Sequence, residues 1–185
     1  MARPRDFDAD AALDAAVRLF WERGFVATSV RHLCDAMGIR VGSFYAVFGS
    51  KEGCFQRALV RYLEQQPLPR EPGPEAIHAW LDAIVDPRRA PRGCLLVGSA
   101  LEHPNLDTTT QRLVSAQLEA IEAFFRACLR DRAGARGDAA LLAAAVLAIH
   151  VRARAGAAPR ELRALADRAL EAVALAPPAG RLARS

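Results

Sequence analysis

Long hydrophobic runs, strand-like alternation and lysine are what this sequence has least of. The longest apolar stretch, Ala139 to Ile149, falls well short of the ~20 residues a bilayer-spanning helix needs. No membrane partner is therefore expected. Period-two alternation of apolar and polar residues is almost absent, which argues against a sheet-based fold. The leading Met-Ala-Arg-Pro-Arg-Asp has no apolar core behind its charges, so no signal peptide is expected and the reading is a soluble, cytoplasmic protein. The four cysteines, Cys34, Cys54, Cys94 and Cys128, are scattered, with neither a Cys-x-x-Cys pair nor histidines at ligand spacing. That speaks against a disulfide framework or zinc site, and no metal or cofactor is expected. A phosphate-cradling glycine loop, a nucleophile elbow and an acid/base pair are also missing. His32, His78, His103 and His150 lie far apart in the chain. The expectation is a protein that is not an enzyme.

Lysine occurs once, at Lys51, while the other 24 basic residues are arginine. Net charge is only +4 over 185 residues. Any case for a polyanionic partner therefore depends on where charge is placed, not on how much there is. Apolar residues make up 52% of the chain, enough for a substantial core.

What is present is helical periodicity. Nine runs are expected, making the fold all-α. The first spans Ala9 to Arg23, with Leu13, Ala16, Val17 and Phe20 on one face, Asp8 as cap and Gly24 as stop. The second starts at Thr28-Ser29 and ends near Met37. A short third runs from Val41 to Phe48, and a fourth, capped by Ser50, from Lys51 to about Gln66. Pro67, Pro69, Pro72 and Pro74 then forbid a continuous helix. This divides the chain into residues 1–66 and 67–185, with the fourth helix shared between the two. Five further helices follow: Glu75 to Val85, Cys94 to Glu102, one capped by Asp107 and reaching about Arg132, an alanine-rich one capped by Asp138, and a last one opened by Pro159. The tail 176–185 is expected to be disordered.

Two helices joined by a tight turn at Gly38 suggest a helix-turn-helix, with Leu33, Ile39 and Phe44 beneath it. The second helix of such a unit lies in the DNA major groove. Spacing alone also leaves open a pair of ordinary surface helices. Lys51 adds weight to the DNA reading. It opens a helix, where the dipole disfavours a cation by a few tenths of a kcal/mol. The placement makes sense if a backbone phosphate docks there, a task suited to a compact ammonium on a flexible stem. Between positions 28 and 51, Arg31, Arg40 and Lys51 face only Asp35. Arg3 and Arg5 ahead of the first helix are either minor-groove arms or a solvated end.

Residues 9 to 60 resemble the DNA-binding domain of the TetR/AcrR family of bacterial transcription regulators. The resemblance is carried by "AALDAAVRLFWERGFVATSVRHLCDAMGI" and "GSFYAVFGSKEGCF". It implies a sequence-specific regulator that is by default a repressor, a homodimer bound to double-stranded operator DNA and released by a small-molecule effector. Tyr45 and Lys51 would contact phosphates, and Thr28 and Arg31 would anchor the second helix on the backbone. Arg40, Val41, Gly42 and Ser43 would sit at base edges. Val41 and Gly42 offer only apolar or backbone contacts, so base reading would lean on Arg40 and Ser43, an Arg–guanine pair being worth ~1–3 kcal/mol of discrimination.

The resemblance places the dimer interface on the last two helices. Leu142, Val146 and Ile149 on one, with Leu162, Leu165 and Ala169 on the other, are the expected contacts, an intrachain core being the alternative. A mainly apolar effector pocket in the second block would draw on Trp80, Leu96, Ser99, His103, Gln117, Ile121 and Phe124, each of which also suits plain core packing. A rival on the same scaffold is a redox-responsive regulator switched through Cys94, which follows Arg92-Gly93 and opens a helix.

Overall fold

A computed structural model describes residues 8–86, 88 and 93–175. Arg3, Arg5, Arg92 and the tail 176–185 lie outside the described residues. Among the described residues the chain forms nine α-helices and no strand: α1 Ala9–Arg23, α2 Val30–Met37, α3 Val41–Phe48, α4 Lys51–Gln65, α5 Pro74–Val85, α6 Leu95–Leu101, α7 Thr108–Cys128, α8 Ala135–Arg154 and α9 Pro159–Ala172. A single 3-10 turn, His103–Asn105, separates α6 from α7.

Two compact units emerge. The first contains α1 to α4, up to Pro67, together with Gly98–Ser115; the second contains Leu68–Val97 and the chain from Ala116 onward. The proline-rich break falls at the first boundary. The grouping of Gly98–Ser115 with the N-terminal helices was not anticipated.

In the first unit, α1 begins where the Asp8 carboxylate accepts from the N–H groups of Asp10 (2.9 Å) and Ala11 (3.1 Å). It ends at Gly24, whose N–H donates to the Phe20 carbonyl. α1 packs along α4, with Phe20 meeting Phe55 edge-on at 4.8 Å between ring centroids. Such aromatic pairs contribute ~0.5–1.5 kcal/mol beyond their burial. Arg61 of α4 closes the open side by donating to both Asp14 oxygens, at 3.0 and 3.3 Å, and to Asp10 at 3.2 Å. Ser50 caps α4 as expected, accepting from the Gly53 N–H.

In the second unit α8 packs on α9, and α5 packs on both. Leu142, Val146 and Ile149 of α8 meet this core, with Ile77 and Leu81 of α5 and Leu162, Ala166 and Leu170 of α9 also buried. Each large side chain so enclosed gains ~1.5–3 kcal/mol over its exposed state. Asp138 does not cap α8. The helix starts three residues earlier, after Gly134 in the left-handed region, and Asp138 lies in its first turn, where a negative charge still suits the dipole. Asp107, in the first unit, does cap α7, accepting from the Thr109 and Thr110 N–H groups and the Thr110 hydroxyl. Burial raises the pKa of this carboxyl, but the Thr110 hydroxyl and the surrounding backbone N–H groups outweigh that and hold it below the usual value.

Candidate nucleic-acid interface

Between α2 and α3 the chain turns at Gly38, which takes the left-handed conformation (φ 66°, ψ 31°). The Ile39 N–H donates back to the Cys34 carbonyl at 3.0 Å, satisfying the end of α2. Leu33 and Phe44 are fully buried beneath the turn, with Cys34 beside them and Ile39 half-buried. Burial pushes the Cys34 thiol up, and pushes Cys54 up to about 12 despite the nearby Arg57.

With Phe44 and Phe48 turned inward, α3 presents the rest of its surface outward. Arg40, Val41, Gly42, Ser43 and Tyr45 are all exposed, Val41 by 51% and Tyr45 by 50%. Arg40 is the N-cap of α3, and no side chain bonds the first N–H groups there. Arg31 is exposed in the first turn of α2.

Two of the expected phosphate contacts stand differently from the expectation. Thr28 is buried, 1% exposed, and its hydroxyl donates to the Gly24 carbonyl at 2.6 Å. Its side chain closes the α1–α2 connection and is not available to a phosphate. Lys51 opens α4 as expected, yet its amine already has partners within the chain. Nζ lies 3.1 Å from the Phe25 carbonyl oxygen, to which it donates, and 4.0 Å over the Phe25 ring. A carbonyl and a ring face offset the dipole cost, so a phosphate is not needed to explain a cation here. An ammonium has three N–H donors, which leaves capacity for an outside acceptor.

Three positioning residues went unseen in the sequence. His32 completes a capping box: its Nδ1 accepts from the Ser29 N–H while Ser29 Oγ accepts from the His32 N–H. The usual signal for this device is Glu or Gln three residues after the cap, and here histidine takes that place. Arg57 donates to the Val47 carbonyl at the end of α3 and lies 4.9 Å over the Phe48 ring. Glu102 accepts from the N–H groups of Phe25 (2.6 Å) and Val26 (3.2 Å). The Arg57 contact spans 10 chain positions and the Glu102 contacts 77 and 76, and no local pattern announces either.

The expected pocket residues fall in both units. Ser99 (buried) and His103, whose Nε2 is 3.4 Å from the Ser115 hydroxyl, belong to the first. Trp80, Leu96, Gln117, Ile121 and Phe124 belong to the second. There Trp80 meets Phe124 edge-on and Phe125 at a tilt, each at 5.3 Å, while Leu96 and Ile121 are buried and Gln117 half-buried. Five of the six expected dimer residues, Leu142, Val146, Ile149, Leu162 and Ala169, are buried in the chain's own core, and Leu165 is half-buried. Burial within the chain's own fold leaves these five little surface for a partner. Leu141 (46% exposed) and Val151 (42%) are the large apolar side chains that α8 leaves outside. Cys94 is half-buried at the foot of α6, whereas Cys34, Cys54 and Cys128 are buried.

An all-α chain whose first unit displays a short, exposed second helix of a helix-turn-helix belongs, by fold and site, to the class of helix-turn-helix proteins. The sequence profile of the bacterial regulatory proteins of the tetR family matches residues 12–58. The HTH-type transcriptional repressor ComR of Escherichia coli (strain K12) is 48% identical over 63 residues, which cover 34% of this chain and 30% of that protein. The chain thus spans about a third of the length of that curated repressor. The uncharacterised HTH-type transcriptional regulator YezE of Bacillus subtilis (strain 168) is 32% identical over 144 residues, covering 71% of this chain and 74% of YezE. A solved structure of a cysteine-substituted TetR family regulator, CifR, complexed with 26-bp double-strand operator DNA, is 33% identical, with a TM-score of 0.80 over 92% of this chain and 99% of that one. The chain belongs to the TetR family of bacterial transcription regulators.

Proposed function

We propose that this protein is a sequence-specific repressor that binds double-stranded operator DNA as a homodimer and is released by a small-molecule effector. The observation that carries the reading is the outward face of α3. It offers Arg40, Ser43 and Tyr45 together with uncapped N–H groups, and the Gly49-Ser50 turn joins it directly to the anchored ammonium of Lys51. Exposed donors on a short helix suit base edges, and backbone N–H groups with a point cation suit phosphates. The relatives support the reading: ComR is a named repressor, and CifR was solved on operator DNA. The proposal assigns the chain no catalysis and places it in the cytoplasm, where its DNA lies. No helix among the described residues is long and apolar enough to cross a membrane.

Within this reading Arg40 and Ser43 read bases and Val41 contributes an apolar contact. Gly42 lets the backbone approach, and Tyr45, Arg31 and Lys51 hold phosphates. A single short helix reads few base pairs, so a second copy is needed for a useful site. The interface falls on the outer face of α8, where Leu141 and Val151 remain exposed with Ala144 between them. The effector site lies in the second unit, in the apolar surroundings of Trp80, Ile121 and Phe124. The ligand acts by differential affinity for the DNA-competent and incompetent states.

Selection of bound fragments from random duplex DNA by the purified protein tests this. A two-fold symmetric consensus is expected. Enrichment of an asymmetric site, or of none, defeats the proposal. Within the selected site, Arg40→Ala relaxes preference at one position per half-site. Lys51→Ala weakens all sequences alike and flattens the salt dependence by about one unit.

A further inference from the structure

Glu102 stands just past the end of α6, in the segment Gly98–Ser115 that groups with the N-terminal helices. Its carboxylate takes the N–H groups of Phe25 and Val26 at 2.6 and 3.2 Å. The Val26 N–H and the Phe25 carbonyl belong to one planar peptide group. That carbonyl is the one that accepts from Lys51 Nζ at 3.1 Å. A carboxylate therefore grips one end of a peptide while an ammonium grips the other. Both hydrogen bonds are charge-assisted, and each polarises the peptide in the direction that strengthens the other. The chain makes room for this grip at Gly24, where a Cβ would sit 2.7 and 2.9 Å from the two Glu102 oxygens.

We propose that Glu102 is a positioning residue for operator binding. It fixes the Phe25–Val26 peptide, so that the Lys51 ammonium is held at the phosphate-facing start of α4. The inference rests on the reading of Lys51 as a phosphate contact. Without the carboxylate, the Phe25 and Val26 N–H groups lose their shared acceptor, and the carbonyl that steers the amine keeps only the bond from the Thr28 N–H at 3.2 Å to hold it. The segment bearing Glu102 continues covalently at both ends into the second unit, through α6 and α7. It is thus a place at which the state of that unit can reach the amine without any change in α4 itself.

Charge alone predicts the opposite effect. A carboxylate near a docking polyanion opposes binding, so removing it should tighten the complex. The relay predicts weaker binding. The test measures affinity of the full chain for the selected operator and for a random duplex across a salt series, using wild type, Lys51→Ala, Glu102→Gln, Glu102→Asp and the double variant Lys51→Ala/Glu102→Gln. Glu102→Gln keeps the length but only one acceptor oxygen. Glu102→Asp keeps the charge but is one methylene short. Expected for Glu102→Gln is a loss of roughly tenfold, the scale of one charge-assisted bond, on both duplexes. The salt slope should flatten toward that of Lys51→Ala, and the double variant should be no weaker than Lys51→Ala.

Tighter binding by Glu102→Gln, or losses that multiply in the double variant, overturns the proposal while Lys51 keeps its phosphate role. An unchanged salt slope for Lys51→Ala overturns the underlying reading and this proposal with it. Because Lys51 is the chain's one lysine, lysine-selective nitrogen labelling gives a single side-chain resonance. Its ammonium protons should exchange slowly with water in the wild type and faster in either Glu102 variant. If neither variant folds, the wild-type signal decides: exchange as fast as that of free lysine overturns the anchor.

Discussion

Lys51 and Glu102 are bonded to opposite ends of the same peptide group, Phe25 carbonyl to Val26 N–H, although 51 positions separate them in the chain. This arrangement explains a cation at a helix start better than an isolated phosphate site does. It also makes Gly24 a sensitive position. Gly24 has φ 80° and ψ 176°, a region essentially reserved for glycine, where another residue costs ~1–3 kcal/mol. Its missing Cβ is also the space that the Glu102 carboxylate fills. Gly24→Ala should lower the unfolding free energy by about 2 kcal/mol or more, measured by denaturant titration. It should also weaken DNA binding as Glu102→Gln does. A variant of wild-type stability would show that the backbone there is not held as described.

Thr28 separates structural from contact roles on the same loop. Its hydroxyl donates to the Gly24 carbonyl inside the fold. Thr28→Val keeps the shape but leaves that carbonyl without its donor, at a cost of ~1–3 kcal/mol. Thr28→Ser keeps the donor and should lose less. Neither should alter the salt slope of DNA binding, because no phosphate contact is removed. A flattened slope in Thr28→Val with unchanged stability would return Thr28 to the phosphate face.

The helices were legible because their signals are local. Asp8, Ser50 and Asp107 announce helix starts within a turn of the N–H groups they cap, and the four prolines from Pro67 to Pro74 mark a stop that no packing can override. The outward face of α3 was legible for the same reason, since Phe44 and Phe48 fix which side is in. What could not be read were pairings between distant positions. Glu102 with Phe25, Arg57 with Val47 and Arg61 with Asp14 depend on tertiary placement. The dimer residues show a subtler limit. An alanine-rich helix that is apolar nearly all round gives no polar face to mark the outside. Periodicity could not say that Leu142 points in while Leu141 points out.

His150 gives the second unit a defined acid sensitivity. It is buried on α8, and its Nδ1 has no hydrogen-bond partner among the described residues. Burial lowers its pKa from 6.5 to about 4. In the unfolded chain the imidazole takes its proton near the ordinary value, so between those two pKa values the unfolded state binds more protons. Stability is then fully present above about pH 6.5 and falls as the pH drops toward 4, where the contribution is exhausted. The full loss is about 3 kcal/mol. Asp107, whose pKa is lowered from 3.8, acts in the same direction but only below that window. Chemical denaturation at successive pH values should show the decline, and His150→Met should remove most of it. An equal slope in the variant would mean that another group carries the acid sensitivity.

Leu141 and Leu142 are chain neighbours with opposite surroundings, one 46% exposed and one fully buried. If a second copy packs on the outer face of α8, the pair should separate oligomerisation from folding. Leu142→Ala deletes core volume and should cost about 2–5 kcal/mol of stability. Leu141→Arg, or Val151→Arg ten residues further along α8, should leave the folded monomer nearly as stable, since exposed substitutions stay within about 0.5 kcal/mol. Either arginine would bring two like charges together across a two-fold axis with no partner to neutralise them, so the dimer should dissociate. Sedimentation analysis of Leu141→Arg should give a monomer that melts cooperatively. Its operator affinity should fall to that of a single half-site, because two recognition helices no longer arrive together. A dimer that survives both arginine substitutions would place the interface on another surface of the chain.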